Sequence, residues 1–302
     1  MANSTYTHAK SVALVDYMTP FRVQQDKYTW GWQNISTSRP TNRATEQVFS
    51  FGGLPAAVRT GELQPVFYAD MSEQAATTFT VNKFTLSTMF SYEFLKDAYH
   101  LPDMMKEAGT CAGDSHSYAR DISMAAPLNR AFNSTYSLYD GVELCGTHTM
   151  DSGDSYTNLL STASLTFDNV WLAVNHFETA PISQSGLPLT DTPEWLIYHP
   201  SKEKDVQAIL KSTLEPGGAN NDLNTLKSSY NLKPLPCRHL STTTNWFIAG
   251  SKFKGDFLFL EREAANNATD DDFDRMGMKF RSHQRFAVGI RDFPWIVGNV
   301  GL

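Results

Sequence analysis

Residues 77–90 read TTFTVNKFTLSTMF, a run in which apolar residues alternate as they do along a half-buried β-strand. Phe79 and Val81 share one phase, whereas Phe84, Leu86 and Phe90 fall on the other, so the pattern slips by one residue at Asn82-Lys83. A slip of this kind predicts a β-bulge or a sharp twist that re-aims the strand. Upstream, Val48, Phe49 and Phe51, then Gly52-Gly53, then Val66-Phe67-Tyr68 are also strand-like, while 55–65 and 69–76 carry few core residues. The stretch from Thr45 to Phe90 therefore reads as an extended β-arm with little core of its own, and such an arm needs an external surface to lie on.

Six rings of this arm (Phe49, Phe51, Phe67, Tyr68, Phe79 and Phe84), with Arg59 at its tip, are the residues expected to touch other chains. A long hairpin has too little body to bury them, and aromatic anchors cover much area at small entropic cost. An intrachain core is the alternative.

Working outward, residues 1–44 are irregular around a short apolar patch from Val12 to Met18 and read as an arm. From Leu101 to Phe132, Leu101, Met104, Met105, Ala108, Cys111, Ala112, Tyr118, Ala119 and Ile122 recur at helical spacing, which predicts a long helix that kinks or breaks near Pro127. Beyond the Asp140-Gly141 turn the pattern becomes α/β. A helix carries Val170, Trp171, Val174 and Phe177; a strand follows at Trp195 to Tyr198. A second helix opens at Pro200-Ser201, bears Val206, Ile209 and Leu210, and stops at Pro216-Gly217-Gly218. Strands follow near Trp246 to Ala249 and Phe257 to Leu260, then an acidic loop, Asp270-Asp271-Asp272, then β segments at Met278 to Ile290 and Trp295 to Val300. The class is α+β, a mixed α/β chain without internal repeats.

At 302 residues, with 41% hydrophobic and 19% charged, the chain has the make-up of a packed globular protein and not of a disordered or fibrous one. No apolar run approaches the roughly 20 residues that a membrane-spanning helix needs, and the start lacks the pattern of a signal peptide. Cys111, Cys145 and Cys237 form no CxxC pair and leave one over, so reduced structural thiols are expected in place of a disulfide framework or a zinc knuckle. Asn3, Asn34, Asn133 and Asn267 lie in Asn-x-Ser/Thr sites that then read as ordinary polar loops.

Asp114-Ser115-His116, with His148, Asp151 and Asp154 downstream, supplies the residue types of a hydrolase: a serine, a base and an orienting acid. Neighbouring residues on a helix point about 100° apart and do not face each other, and no G-x-S-x-G elbow occurs. Solvated helix positions for Asp114 to His116, and turn or strand-end packing for His148, are the simpler reading. Asp270, Asp271, Asp272 and Asp274 lack the spacing of a calcium loop and read as a solvated loop. Nothing around Cys145 predicts a lowered thiol pKa, so a buried structural thiol is preferred to a Cys145–His148 nucleophile. No catalytic residue, cofactor or metal is expected.

The order of arm, β-extension, long helix, α/β body and closing strands resembles the phage major capsid fold of the Hong Kong 97 type. FGGLPAAVRTGE (51–62) and FTVNKFTLSTMFSYEFLKDAY (79–99) are similar to the extended loop of Mu-like head subunits and its lead into the spine helix. LNRAFNSTYSLYDGVELCGTHTM (128–150) resembles the family's passage into its second domain, matching at Asn129, Ala131, Phe132, Asp140, Gly141, Leu144, Thr147 and His148. LIYHPSKEKDVQAIL (196–210), NWFIAG (245–250) and RFAVGIRDFPWIVGNVG (285–301) resemble its later strands and helix, so the likeness spans the chain in order. Pro127 departs from the pattern.

The resemblance implies an N-terminal arm (1–44), an extended β-hairpin loop (45–90), a peripheral domain with the spine helix (91–136), an axial domain (137–269) and closing peripheral strands (270–302). It implies a structural subunit that self-assembles into hexamers and pentamers of an icosahedral head enclosing double-stranded DNA, located in the virion and assembled in the host cytoplasm. Expected partners are other copies, a separate scaffolding protein or none in place of a fused one, a portal and a decoration protein. Packaged DNA would be held only weakly by a chain of net charge -7, and no membrane is involved. Some relatives link subunits covalently through a lysine of the loop; none occurs from Thr45 to Asn82, so a non-covalent shell is expected. The alternatives are a cellular nanocompartment shell and a cytoplasmic hydrolase built on Ser115, His116 and His148.

Overall fold

The computed structural model describes residues 15–21, 29–50, 52–69, 76–97, 101–160, 164–216 and 223–301. Phe51, Val12 to Leu14 and Gly217-Gly218 lie outside the described residues. In chain order the strands are β1 (Thr37–Pro40), β2 (Thr45–Val48), β3 (Thr77–Thr80), β4 (Asn82–Ser91), β5 (Thr147–Thr149), β6 (Ser155–Thr157), β7 (Leu159–Leu160), β8 (Pro193–Tyr198), β9 (Lys233–Pro236), β10 (Trp246–Gly250), β11 (Phe257–Asp272), β12 (Gly277–Ile290) and β13 (Ile296–Asn299). The helices are α1, described over residues 15–21, then α2 (Tyr92–Asp97), α3 (Leu101–Asn129), α4 (Phe167–Thr179), α5 (Glu203–Lys211), α6 (Thr225–Ser229) and α7 (Phe253–Asp256).

A five-stranded sheet, ordered β7-β13-β10-β8-β9, forms one half. Its central strand β10, WFIAG, is buried at every position because both faces are covered. Trp246 and Ile248 face α4, α5 and α6, where they pack with Val170, Val174, Phe177, Val206, Ile209 and Leu226. Phe247 and Ala249 face the other way, toward Met124, Leu128 and Phe253. Helix α4 begins where the Thr166 side chain accepts a hydrogen bond from Asn169 N, and Phe167, Val170, Val174 and Phe177 recur on its buried face. Edge strand β9, KPLP, carries two prolines that cannot donate to a further strand.

A four-stranded sheet, ordered β1-β11-β12-β4, forms the other half. The slip read at Asn82-Lys83 marks a change of sheet: β3 ends at Thr80 and pairs with β2, while β4 starts at Asn82 and pairs with β12. The acidic triplet expected as a loop instead completes β11, pairing with Lys279, Met278 and Gly277. Strand β11 pairs with β12 along nearly its whole length, so the domain boundary expected after Thr269 falls inside one ladder. Strand β13, expected with the closing peripheral strands, pairs with β10 in the five-stranded sheet, because all four of its residues are buried and need a covered position.

Helix α3 runs unbroken from Leu101 to Asn129 with Pro127 inside it, against the expected break. Pro127 stands in the last turn, so although its missing N–H leaves the Ser123 carbonyl without its helical donor, only two helical residues follow and little of the helix is affected. The buried face also differs from the expected stripe. Met105, Gly109, Ala112, Gly113, His116, Ser117, Arg120, Asp121, Met124, Ala125 and Leu128 are buried at helical spacing, while Met104, Cys111, Tyr118 and Ile122 are exposed. The sheet supplies bulk to this contact through Met278, Phe280 and Phe286, so the helix meets it with small and polar residues. His116 Nε2 and Ser282 Oγ are 2.8 Å apart, and Gln284 Nε2 donates to the His116 carbonyl at 3.1 Å. His116 is therefore buried and not the solvated position expected.

Candidate intersubunit surface

Between β2 and β3 the chain leaves the body. Among the described residues these two strands pair over Thr45–Val48 and Thr77–Thr80, so the hairpin has a laddered base and no ladder beyond it there. Val66-Phe67-Tyr68, expected as a strand, has no partner strand and is irregular. Every described residue from Gly53 to Ala69 is exposed.

The apolar side chains on this segment are uncovered. Leu63 is 101% exposed, Tyr68 90%, Val66 69% and Phe67 58%, with Val58 and Leu54 also above half. Leu63 also has a positive φ of 61°, a conformation rare for a residue with a branched side chain. Covering these six side chains would recover on the order of 5–10 kcal/mol, enough to matter against the cost of association. Arg59 stands in the same exposed stretch and Phe49 at its root, 43% exposed.

The loop root is held by its own chain. Ser185 Oγ donates to the Leu54 carbonyl at 3.1 Å and Thr77 Oγ1 to the Arg291 carbonyl at 3.3 Å. Phe79, expected at an interface, is 5% exposed and packs on Leu258, Leu260 and Ala287. A Cβ on Gly289 would lie 2.1 Å from the Phe79 ring, so this glycine is the floor of the ring's slot. Phe84 stacks on Phe286 at 4.5 Å between centroids. Both rings serve the intrachain core, a correction that follows from the sheet lying directly beneath them. Of the seven expected contact residues, Phe49, Arg59, Phe67 and Tyr68 remain outward, and Phe51 lies outside the described residues.

The residue types of a hydrolase are dispersed. Ser115 Oγ donates to the Cys111 carbonyl of its own helix, His116 faces Ser282, and His148 Nδ1 lies 2.5 Å from Asp140 Oδ2 with its ring stacked on Phe293. Burial, with Arg120 and His283 adding to it, pushes His116 down to about 4. Burial pushes the Cys145 thiol up, the opposite of what a nucleophile needs. Among the described residues no group of three or more His, Cys, Asp or Glu side chains converges to hold a metal ion.

Comparison with known proteins follows the same line. The sequence pattern of the phage capsid protein family matches residues 73–299. The capsid of a native GTA particle is similar in structure, with a TM-score of 0.60 at 13% identity over 90% of each chain. A structure from Microbacterium phage Oxtober96 has a TM-score of 0.56 at 8% identity over 89% of this chain and 90% of that one. The virus-like particle from Pyrococcus furiosus has a TM-score of 0.56 at 8% identity over 94% of this chain and 97% of that one. No protein with a curated description matches the sequence significantly. With the family pattern covering well over half its length and the fold shared with assembled shells, the chain belongs to the phage capsid protein family, as a structural subunit with the Hong Kong 97-type fold.

Proposed function

We propose that copies of this chain build an icosahedral head of hexamers and pentamers around double-stranded DNA, each copy laying its extended loop across a neighbour. The observation that carries this reading is the loop itself: from Gly53 to Ala69 it is fully exposed and carries Leu54, Val58, Leu63, Val66, Phe67 and Tyr68 with nothing of their own chain over them. Monomeric proteins seldom leave so many adjacent apolar side chains in water, and a surface supplied by another copy covers them. Arms overlapping several neighbours make a closed shell far more stable than any single pair.

In this arrangement the four-stranded half with α3 is the peripheral domain and the five-stranded half the axial domain. A separate scaffolding protein, a portal and a decoration protein are the further partners the reading calls for. Net charge -7 keeps the wall from gripping its contents. Assembly takes place in the host cytoplasm.

Deleting residues 55–76 tests the loop. The expected product is a soluble chain, with a melting temperature close to that of the intact protein, that forms no shells by negative-stain microscopy. Normal shells from the deletion would refute the role given to the loop. A second reading, a cellular nanocompartment shell, has support in the likeness to the Pyrococcus furiosus particle. Nuclease-protected DNA in purified heads separates the two, since a protein-filled compartment would hold none.

A further inference from the structure

One buried carboxylate joins three parts of the chain that lie far apart in sequence. Asp121 sits on the buried face of α3 and is 0% exposed. Its Oδ1 accepts a hydrogen bond from Trp32 Nε1 at 3.0 Å and its backbone carbonyl one from Trp30 Nε1 at 3.2 Å, so both indoles of the arm end on this residue. The other oxygen, Oδ2, has no hydrogen-bond partner. Two groups from the turn after β9 face it without reaching it: His239 Nε2 at 3.7 Å and Arg238 at 3.9 Å.

That turn bridges the two halves. Cys237 N donates to the Tyr198 carbonyl of the five-stranded sheet at 2.8 Å. On the helix side, Asn129 Nδ2 donates to the His239 carbonyl and Ser241 N to Asn129 Oδ1, both at 2.9 Å, and Tyr118 meets the His239 ring edge-on at 5.2 Å. Among the described residues the remaining charged neighbour is Arg120 on the same helix. The Cys237 thiol, pushed up to about 12 mainly by burial, stays neutral.

Ionised, Asp121 is a buried charge whose nearest cations stop beyond hydrogen-bonding distance, a costly arrangement. Neutral, it brings no charge into the junction, and His239 Nε2 is left to accept from Arg238 Nε at 3.4 Å. We propose that Asp121 is a positioning residue whose proton works as a clasp: protonated, it lets the arm, the long helix and the 237–241 turn pack around an uncharged side chain, and ionised, it loosens that junction.

The direction of its titration agrees with the geometry. Burial raises the Asp121 carboxyl from 3.8 to about 6 against the opposing pull of Trp32, Arg238, Trp30 and Arg120. His239 is lowered by burial and by Arg238, so both partners favour their neutral forms. Because the folded carboxyl holds its proton more tightly than the unfolded one, the stability it contributes is fully present below 3.8 and is lost as pH rises through about 6.

The clasp belongs to the single chain and stands or falls apart from the shell reading. Asp121→Asn keeps the oxygen that Trp32 uses and fixes the junction in its neutral form. Chemical denaturation should find this variant favoured over the native chain on the order of a hundredfold in the folding equilibrium at about pH 8, and less than about tenfold at about pH 4.5. An equal gap at both pH values, or a less stable variant at the higher one, overturns the proposal. Carbon-13 titration of the Asp121 carboxyl in the native chain decides it even where the variant does not fold: a midpoint near 6 is expected, moving upward in Arg238→Ala, and a midpoint below about 4.5 overturns it.

Discussion

At the scale of single residues, the two kinds of aromatic side chain on the loop and its base separate cleanly. Phe79 fills a slot over Gly289, so Phe79→Ala should destabilise the isolated chain by about 3–5 kcal/mol. Phe67, 58% exposed, stands free of the chain's own core. Phe67→Ala should leave the melting curve of the single chain within about 0.5 kcal/mol of the original while reducing the yield of shells. A matching stability loss at both positions would show that Phe67 is core as well. His116 gives a pH dependence of opposite sign to that of Asp121. Its folded value near 4 lies below the ordinary 6.5, so the stability it contributes is present above 6.5 and lost as pH falls through about 4. Replacement by asparagine should flatten this acid limb, worth on the order of 3 kcal/mol, in denaturation curves between pH 7.5 and 4.

At the scale of elements, helix α1 is seated on α3 by a missing side chain. A Cβ at Gly109 would lie 2.2 Å from the Tyr17 carbonyl, so Gly109→Ala has to lift α1 even though alanine is the better helix former. Tyr17 and Phe21 would then leave Met105, Ala112 and Phe280, with which they form a buried cluster. Faster proteolytic cutting near residues 15–21 in the variant is the expected result, and unchanged protection would show that the helices can part without cost. Strand β1 is another element whose place depends on distant partners. It pairs in parallel with β11, Thr37 opposite Leu258 and Pro40 opposite Glu261, although its own sequence, TSRP, has no strand pattern.

At the scale of the whole molecule, stability of the subunit and of the assembly reside in different residues. The body has its own cores on both faces of each sheet, whereas the loop has none. No lysine occurs between Thr45 and Asn82, so purified shells should run as single chains on a denaturing gel, and ladders of linked multimers would contradict a non-covalent wall.

Helices α4 and α5 and strands β8, β10 and β13 were legible in the sequence, as were most of β12 and the loop's lack of a core, because each is written in local apolar period: WFIAG for a strand covered on both faces, Val170, Val174 and Phe177 for one face of a helix. The short strands β7 and β9 and helix α6 carry too few residues to show a period and were not. The same local reading placed Met105 and Ala112 of α3 inward correctly but Met104, Cys111, Tyr118 and Ile122 wrongly, and sent Phe79 and Phe84 to an interface. Burial is decided by whatever surface a distant segment brings up, and here β12 brought rings to meet small and polar helix positions while β11 and β12 slid beneath the base of the loop. The parallel pairing of β1 with β11 and the convergence of Trp30, Trp32, Arg238 and His239 on Asp121 join residues too far apart along the chain for any sequence period to register, and only tertiary packing fixed them.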